Sequence, residues 1–250
     1  NEMLCSNIKK IFPDSRLIFI VSKTFEDLGK MMTCDKFYAY DKKGEHKGIS
    51  GIFKLVKQIK KQEKIDTIIL THTHERAVVL GKLLSPKTIV SVHLKNNNPL
   101  NFFINKHYTI GIKEFLSTYR GIFIANMLNL ICNAPKIDYT TNIKIPVEEN
   151  IKSTEKFNEI IPFEKDYIAL STTSKQEAND WDINEIVNFT SRCELPVVFI
   201  GTGRAHDIAQ KIKSYNLPNF IDITNKTTIM DTAVILSKAN CVISVDTGTM

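Results

Sequence analysis

Apolar positions along this chain follow two periods. Short β-branched and aromatic runs, such as Leu17-Ile18-Phe19-Ile20-Val21 and Val197-Val198-Phe199-Ile200, have the length of buried strands. Between them, apolar residues recur every three to four positions with lysines on the opposite side, the pattern of helices that cover a sheet. Residues 1–145 predict strands at 17–21, 36–40, 66–71, 88–92 and 107–110, and helices at 2–12, 24–32, 50–63, 75–84 and 113–132. Residues 164–250 predict strands at 167–170, 197–200, 219–222 and 241–245, and helices at 182–192, 205–215 and 228–238. The extended Asn142–Pro146 and a polar tract closed by Pro162 make 146–163 the expected linker between two domains. Alternating strands and helices with short connections indicate an α/β fold of two Rossmann-like domains with parallel sheets. Helical spacing starts almost at the first residue, and the last strand runs into a turn at the end of the sequence. Both ends therefore read as cut edges, with an opening strand and loop expected before residue 1 and a closing helix after residue 250.

A chain of 250 residues that is 43% hydrophobic holds two ordinary domains. It contains no apolar run of about 18 residues, so a membrane span is not expected, and no signal-peptide pattern. Five cysteines, Cys5, Cys34, Cys132, Cys193 and Cys241, are scattered without C-x-x-C spacing, as free thiols in a reducing, cytoplasmic setting would be. Charge is uneven. Residues 1–150 hold 23 Lys and Arg against 14 Asp and Glu, a net of +9, and residues 151–250 carry −3. The first half is thus suited to an anionic partner, unless its lysines only solvate helices.

The candidate chemistry lies at strand ends. Ser171-Thr172-Thr173-Ser174-Lys175 follows one strand, and Asp246-Thr247-Gly248-Thr249 follows another. Hydroxyls, free backbone N–H groups and a lysine after a strand suit phosphate oxygens, and both loops lie on one sheet edge. Gly201-Thr202-Gly203-Arg204-Ala205-His206 is one glycine short of a dinucleotide fingerprint and reads as a glycine-rich strand-to-helix turn. His72-Thr73-His74-Glu75-Arg76 ends the strand at 66–71; an H-x-H pair serves metal ligation, substrate contact or helix capping. Ile52, Phe53, Leu55, Val56 and Ile59 alternate with Lys54, Lys57, Lys60, Lys61 and Lys64, which fits either the cover of a sheet or a helix resting on an anionic membrane. Trp181 is expected to anchor the loop before it.

Ser171-Thr172-Thr173 followed by Trp181, Phe199-Ile200-Gly201 and the closing Ser244-Val245-Asp246-Thr247-Gly248 resemble glycosyltransferase family 9, the heptosyltransferases. So do the first helix ending in Phe12-Pro13-Asp14, and Pro99-Leu100-Asn101-Phe102 with His107 before a long helix. The resemblance implies a GT-B fold with the active site between two domains. It implies inverting, metal-independent transfer of a heptose or related sugar from an ADP-sugar to the lipopolysaccharide inner core, on the cytoplasmic face of the inner membrane. It calls for no cofactor beyond the substrate ADP-sugar, and for no nucleic acid. Carried onto this sequence, Thr172, Thr173, Thr247 and Gly248 hold the diphosphate, Asp246 orders the turn and contacts the donor, and Thr249 belongs to the same nucleotide-sugar site, while His72 and Arg76 face the acceptor. The lysine usual two residues before the tryptophan is Asn179 here, and Lys175 is its stand-in. The acid usual after Gly201 is out of register, with Ala205 in its place. The family's catalytic aspartate belongs to a loop upstream of residue 1, so no base is assigned within the chain. A non-catalytic nucleotide-binding homologue and a metal-dependent hydrolase built on His72 and His74 remain the alternatives.

Overall fold

The structure is a computed structural model that describes all residues except 95–98, 112, 114–119, 134–135, 141–142 and 246–250. The chain divides into two compact units, Asn1–Lys144 and Ile145–Met250.

In the first unit α1 (Glu2–Ile11) leads to β1 (Ile18–Ser22), then α2 (Glu26–Met31) and β2 (Lys36–Tyr40). There follow α3 (Gly48–Gln62), β3 (Thr67–Leu70), α4 (Glu75–Leu83), β4 (Thr88–Leu94), β5 (Lys106–Ile110) and α5 (Arg120–Asn129). Strands β1 and β2 pair in parallel with Ile18 opposite Lys36, and β3, β4 and β5 form a second parallel sheet. Helices cover both faces because each carries an apolar stripe. Leu4 and Ile8 of α1 pack with Val92, Ile110 and Met127, and Ile52, Leu55, Val56 and Ile59 of α3 pack with Tyr38, Leu80 and Leu84. An open, largely apolar slot of about 1880 Å³ runs between β1 and β3, lined by Phe19, Val21, Ile68 and Leu70 beneath Leu4 and Ile8. The helix expected at 113–132 is described over Arg120–Asn129; residues 112 and 114–119 lie outside the described set.

A buried carboxylate ties β1, β2 and α3 together. Glu63, just past α3, takes Arg16 Nε at 2.7 Å and Nη2 at 2.9 Å, with Lys36 Nζ at 3.4 Å. The Arg16 hydrogen bonds, backed by Lys36, hold the Glu63 carboxyl at about 2, against its ordinary 4.5. A depressed folded-state pKa gives stability that is complete above the unfolded value and lost as pH falls through the folded one. Acid titration of the parent should therefore lose stability between about pH 4.5 and 2, and Glu63→Gln should flatten that segment of the urea-midpoint-versus-pH curve. A curve unchanged by the substitution would remove Glu63 from the acid transition.

In the second unit α6 (Val147–Phe157) precedes β6 (Ile168–Ser171), α7 (Ile183–Arg192), β7 (Val197–Phe199), α8 (Arg204–Ile212), β8 (Phe220–Asp222), α9 (Ile229–Lys238) and β9 (Cys241–Ser244). Residues 147–157 are thus helical rather than the linker expected over 146–163. Phe157 at the end of α6 is 2% exposed and packs with Ile161, Tyr167 and Ile235, so the tract has a core face that its polar composition hides. Strand β7, and β6 up to Leu170, are apolar because helices cover both faces of their sheet. Capping boxes close the N-termini of α7 (Asp182 with Glu185) and α9 (Thr228 with Asp231).

Candidate donor site at the switch point of the second sheet

The second sheet has the order β8-β7-β6-β9, all parallel. From β6 the chain steps outward through β7 to β8, then returns to lay β9 on the other side of β6. The carboxyl ends of β6 and β9 therefore flank a topological switch point, where open α/β sheets bind ligands. This brings the two loops singled out in the sequence to adjacent strands, with Val245 N–H donating to Ser171 O at 3.1 Å. Asp246, Thr247, Gly248 and Thr249 lie outside the described residues.

Of the β6 loop, Thr172 is 1% exposed and its Oγ1 is buried with no hydrogen-bond partner among the described residues. A buried hydroxyl left unpaired costs about 1–3 kcal/mol, so its presence beside the switch point needs a reason. Thr173 is half-buried; a Cβ added at Gly201 would lie 3.6 Å from its Oγ1, so the hydroxyl faces the glycine turn after β7. Lys175 and Asn179 are exposed.

The loop is held by Trp181 and by the side-chain partners Asp180, Arg204 and Asn225, to which the sequence reading gave no such role. Trp181 N–H donates to Thr172 O at 3.1 Å and closes its neck, while the indole packs edge-on against Phe189 as the expected anchor. Asp180 takes Ser174 N–H at 2.7 Å on one oxygen, and Arg204 Nε and Nη2 at 3.1 and 2.7 Å on the other. Arg204 Nη2 also donates to Ser174 O at 2.9 Å, so the first residue of α8 staples the β6 loop to the β7 turn. From the β8 side, Asn225, at φ 59°, accepts Gly203 N–H on its side chain at 3.1 Å and donates its own N–H to Gly201 O at 2.9 Å. The local signal for these partners was slight, an Asp before Trp and an Asn able to adopt a left-handed turn.

Helix α8 follows Gly203 with no side-chain cap. Ala205 N–H donates to Thr202 O at 3.3 Å and His206 N–H to Gly203 O at 2.8 Å, and the positive end of the helix dipole follows the β7 turn. Asp222, at the end of β8, is buried and serves structure. It accepts Thr224 Oγ1 at 2.6 Å and pairs with Lys213 at 2.9 Å. With its proton committed to Asp222, Thr224 Oγ1 must accept from His206 Nδ1 at 2.8 Å, which fixes that ring's tautomer.

In the first unit His72 and Arg76 are exposed and line the mouth of the slot at the carboxyl ends of β1 and β3, together with Lys42 from the end of β2. His72 and His74 stand past β3 with ring centroids 6.0 Å apart, and His74 makes no side-chain capping bond to α4. Among the described residues no group of three or more His, Cys, Asp or Glu is placed to hold a metal ion, so the H-x-H pair has no third ligand there. Phe102, in the turn before β5, is 76% exposed.

The sequence profile of glycosyltransferase family 9 (heptosyltransferase) matches residues 52–250. The chain belongs to this family. Glycosyltransferase family 9 is thus the setting in which the switch-point loops are read, and the protein is a glycosyltransferase. A lipopolysaccharide core heptosyltransferase, OpsX of Haemophilus influenzae, is 23% identical over 256 residues, covering 97% of this chain and 68% of that protein. Among solved structures, the family 9 glycosyltransferase of Veillonella parvula superposes with a TM-score of 0.85 at 17% identity, over 97% of this chain and 70% of its own. The ADP-heptose lipopolysaccharide heptosyltransferase II of E. coli gives 0.73 at 9% identity, over 99% and 75%. At such identities the structural likeness speaks for the fold, which is the α/β, GT-B fold of these enzymes. No helix among the described residues is long and apolar enough to cross a membrane.

Proposed function

We propose that this family 9 protein transfers a heptose or a related sugar from an ADP-sugar to the inner core of lipopolysaccharide, with inversion and without a metal ion. The work is done on the cytoplasmic face of the inner membrane. The observation that carries the donor half is the buried Thr172 hydroxyl at the switch point, unpartnered among the described residues, beside a loop built of hydroxyls and backbone N–H groups. The relative of E. coli named for ADP-heptose supports the choice of nucleotide, and that of H. influenzae the acceptor.

In this reading Thr172, Thr173, Thr247, Gly248 and Thr249 hold the diphosphate, Asp246 orders the turn that presents them, and Lys175 adds a positive charge. The acceptor hydroxyl attacks the anomeric carbon from the face opposite the diphosphate. A carbon–oxygen bond forms as the bond to the diphosphate oxygen breaks, and ADP leaves with the electron pair. The hydroxyl proton passes to a base that none of residues 1–250 is assigned to supply. The charge growing on the leaving diphosphate is met by hydroxyls, by the positive end of the α8 dipole and by Lys175. His72, Arg76 and Lys42 form the basic side suited to a phosphorylated acceptor.

Calorimetric titration of the full-length protein with ADP and UDP, with and without EDTA, tests the donor. ADP should bind in preference to UDP and ignore EDTA. Thr172→Val removes only the hydroxyl, so it should melt no earlier than the parent while ADP binds roughly 10-fold or more weakly. Preference for UDP would change the donor, and EDTA-sensitive binding would end the metal-free mechanism. Absence of any nucleotide binding would end the donor assignment. Tight ADP binding with no transfer from an ADP-sugar would favour the non-catalytic reading. Inversion is checked by NMR of the product's anomeric proton.

A further inference from the structure

Helix α3 has two unlike sides. Ile52, Leu55, Val56 and Ile59 are no more than 6% exposed and face the sheet. Flanking that face, about a quarter turn round the helix, positions 49, 53, 57 and 60 fall on one ridge of a 3.6-residue helix. That ridge reads Ile49, Phe53, Lys57, Lys60, and its first two side chains stand 76% and 53% exposed. Lys42, Lys43 and Lys47 from the preceding turn, and Lys54 and Lys61 beside the ridge, are exposed as well. No acidic residue occurs between His46 and Gln62, and Glu45 is occupied by Lys54 at 2.9 Å. Lysines that merely solvate a helix are ordinarily interspersed with Glu and Asp, and the face they cover does not hold up an isoleucine and a phenylalanine one turn apart.

We propose that this face of α3 is a membrane-docking surface whose partner is a bilayer rich in anionic phospholipid. The chemistry favours lipid over other polyanions. Lysines near an anionic bilayer are drawn to its surface potential, while aliphatic and aromatic side chains among them enter the boundary between headgroups and acyl chains. A nucleic acid would use the lysines but would leave Ile49 without a role. The surface lies wholly within the first unit and uses no residue of the candidate donor site, so it stands or falls apart from the donor assignment.

Co-sedimentation of the full-length protein with vesicles is the test, using phosphatidylcholine alone and phosphatidylcholine mixed with phosphatidylglycerol. The parent should sediment with the mixed vesicles and not with phosphatidylcholine, and added salt should release it. The double variant Ile49→Ser/Phe53→Ser should lower the partition coefficient roughly 10-fold or more, since it removes most of the inserting apolar area. Charge reversal at Lys57, Lys60 and Lys61 should abolish sedimentation, each lysine being worth about 5-fold at an anionic surface. These side chains are exposed, so both variants should keep the parent's circular dichroism and melting temperature. Three results would overturn the proposal. They are a parent that ignores the mixed vesicles, a serine double variant that sediments like the parent, or a parent released from vesicles by single-stranded RNA that the serine variant binds equally well.

Discussion

Gly201→Ala is expected to destabilise the protein by about 3 kcal/mol and to weaken ADP binding by roughly 10-fold or more. Gly201 sits at φ 156°, and a Cβ there would overlap Cβ of Ala205. Ala205, in the first turn of α8, is fully buried and cannot retreat, so that turn must move. The same turn carries Arg204, whose guanidinium holds Asp180 and Ser174, and Gly203, whose N–H is bound by Asn225. Displacing it loosens the β6 loop on which Thr172 and Thr173 are placed. Denaturant midpoints and ADP titration of the full-length variant measure the two effects. A stable variant with ordinary affinity would show that the close approach of Gly201 to α8 is not required.

Asp231→Ala should cost about 3 kcal/mol, chiefly by leaving buried partners unpaired. Asp231 is 5% exposed in the first turn of α9. Its carboxylate accepts Ser153 Oγ at 2.7 Å and Lys156 Nζ at 2.6 Å from α6, and Thr228 N–H at 2.9 Å in its own capping box. Burial alone would raise this carboxyl, but Lys156, the Thr228 N–H and Ser153 together hold it below the ordinary carboxylate range. Lys156 is nearly half exposed, so much of the cost comes from Ser153 and the lost cap rather than from the ion pair. Asp231→Asn, which keeps an acceptor for the cap, should lose about half as much. Urea unfolding followed by circular dichroism separates the two variants, and equal midpoints for parent and Asp231→Ala would exclude the bridge as a source of stability.

Where apolar period and strand length agree, local sequence was enough. β1, β2, β4, β7 and β9 fall within about two residues of their expected spans because β-branched and aromatic runs bounded by polar turns have few other uses. The tract 147–157 failed for the opposite reason. Its hydrophobic stripe is thin, and its helix is stabilised by Phe157 in the core and by Asp231, which lies far away in sequence. The basic helix at 48–62 illustrates a third case. Its pattern fitted either a sheet cover or a membrane surface, and the fold uses one side for the sheet and leaves the other exposed.

The candidate site divides in the same way. Hydroxyls, glycines and a lysine after strands are visible in a linear sequence because phosphate chemistry needs those groups in short runs, and the strand-helix alternation that carries them follows from local periodicity. The sequence alone therefore determined the α/β class, the family likeness and the loops worth watching. Strand order was decided only in three dimensions, because parallel pairing joins residues tens of positions apart through backbone groups that every residue possesses. That order set β9 beside β6, gathered Asp180, Arg204 and Asn225 around the glycine turn, and left the Thr172 hydroxyl buried at the switch point with no partner among the described residues.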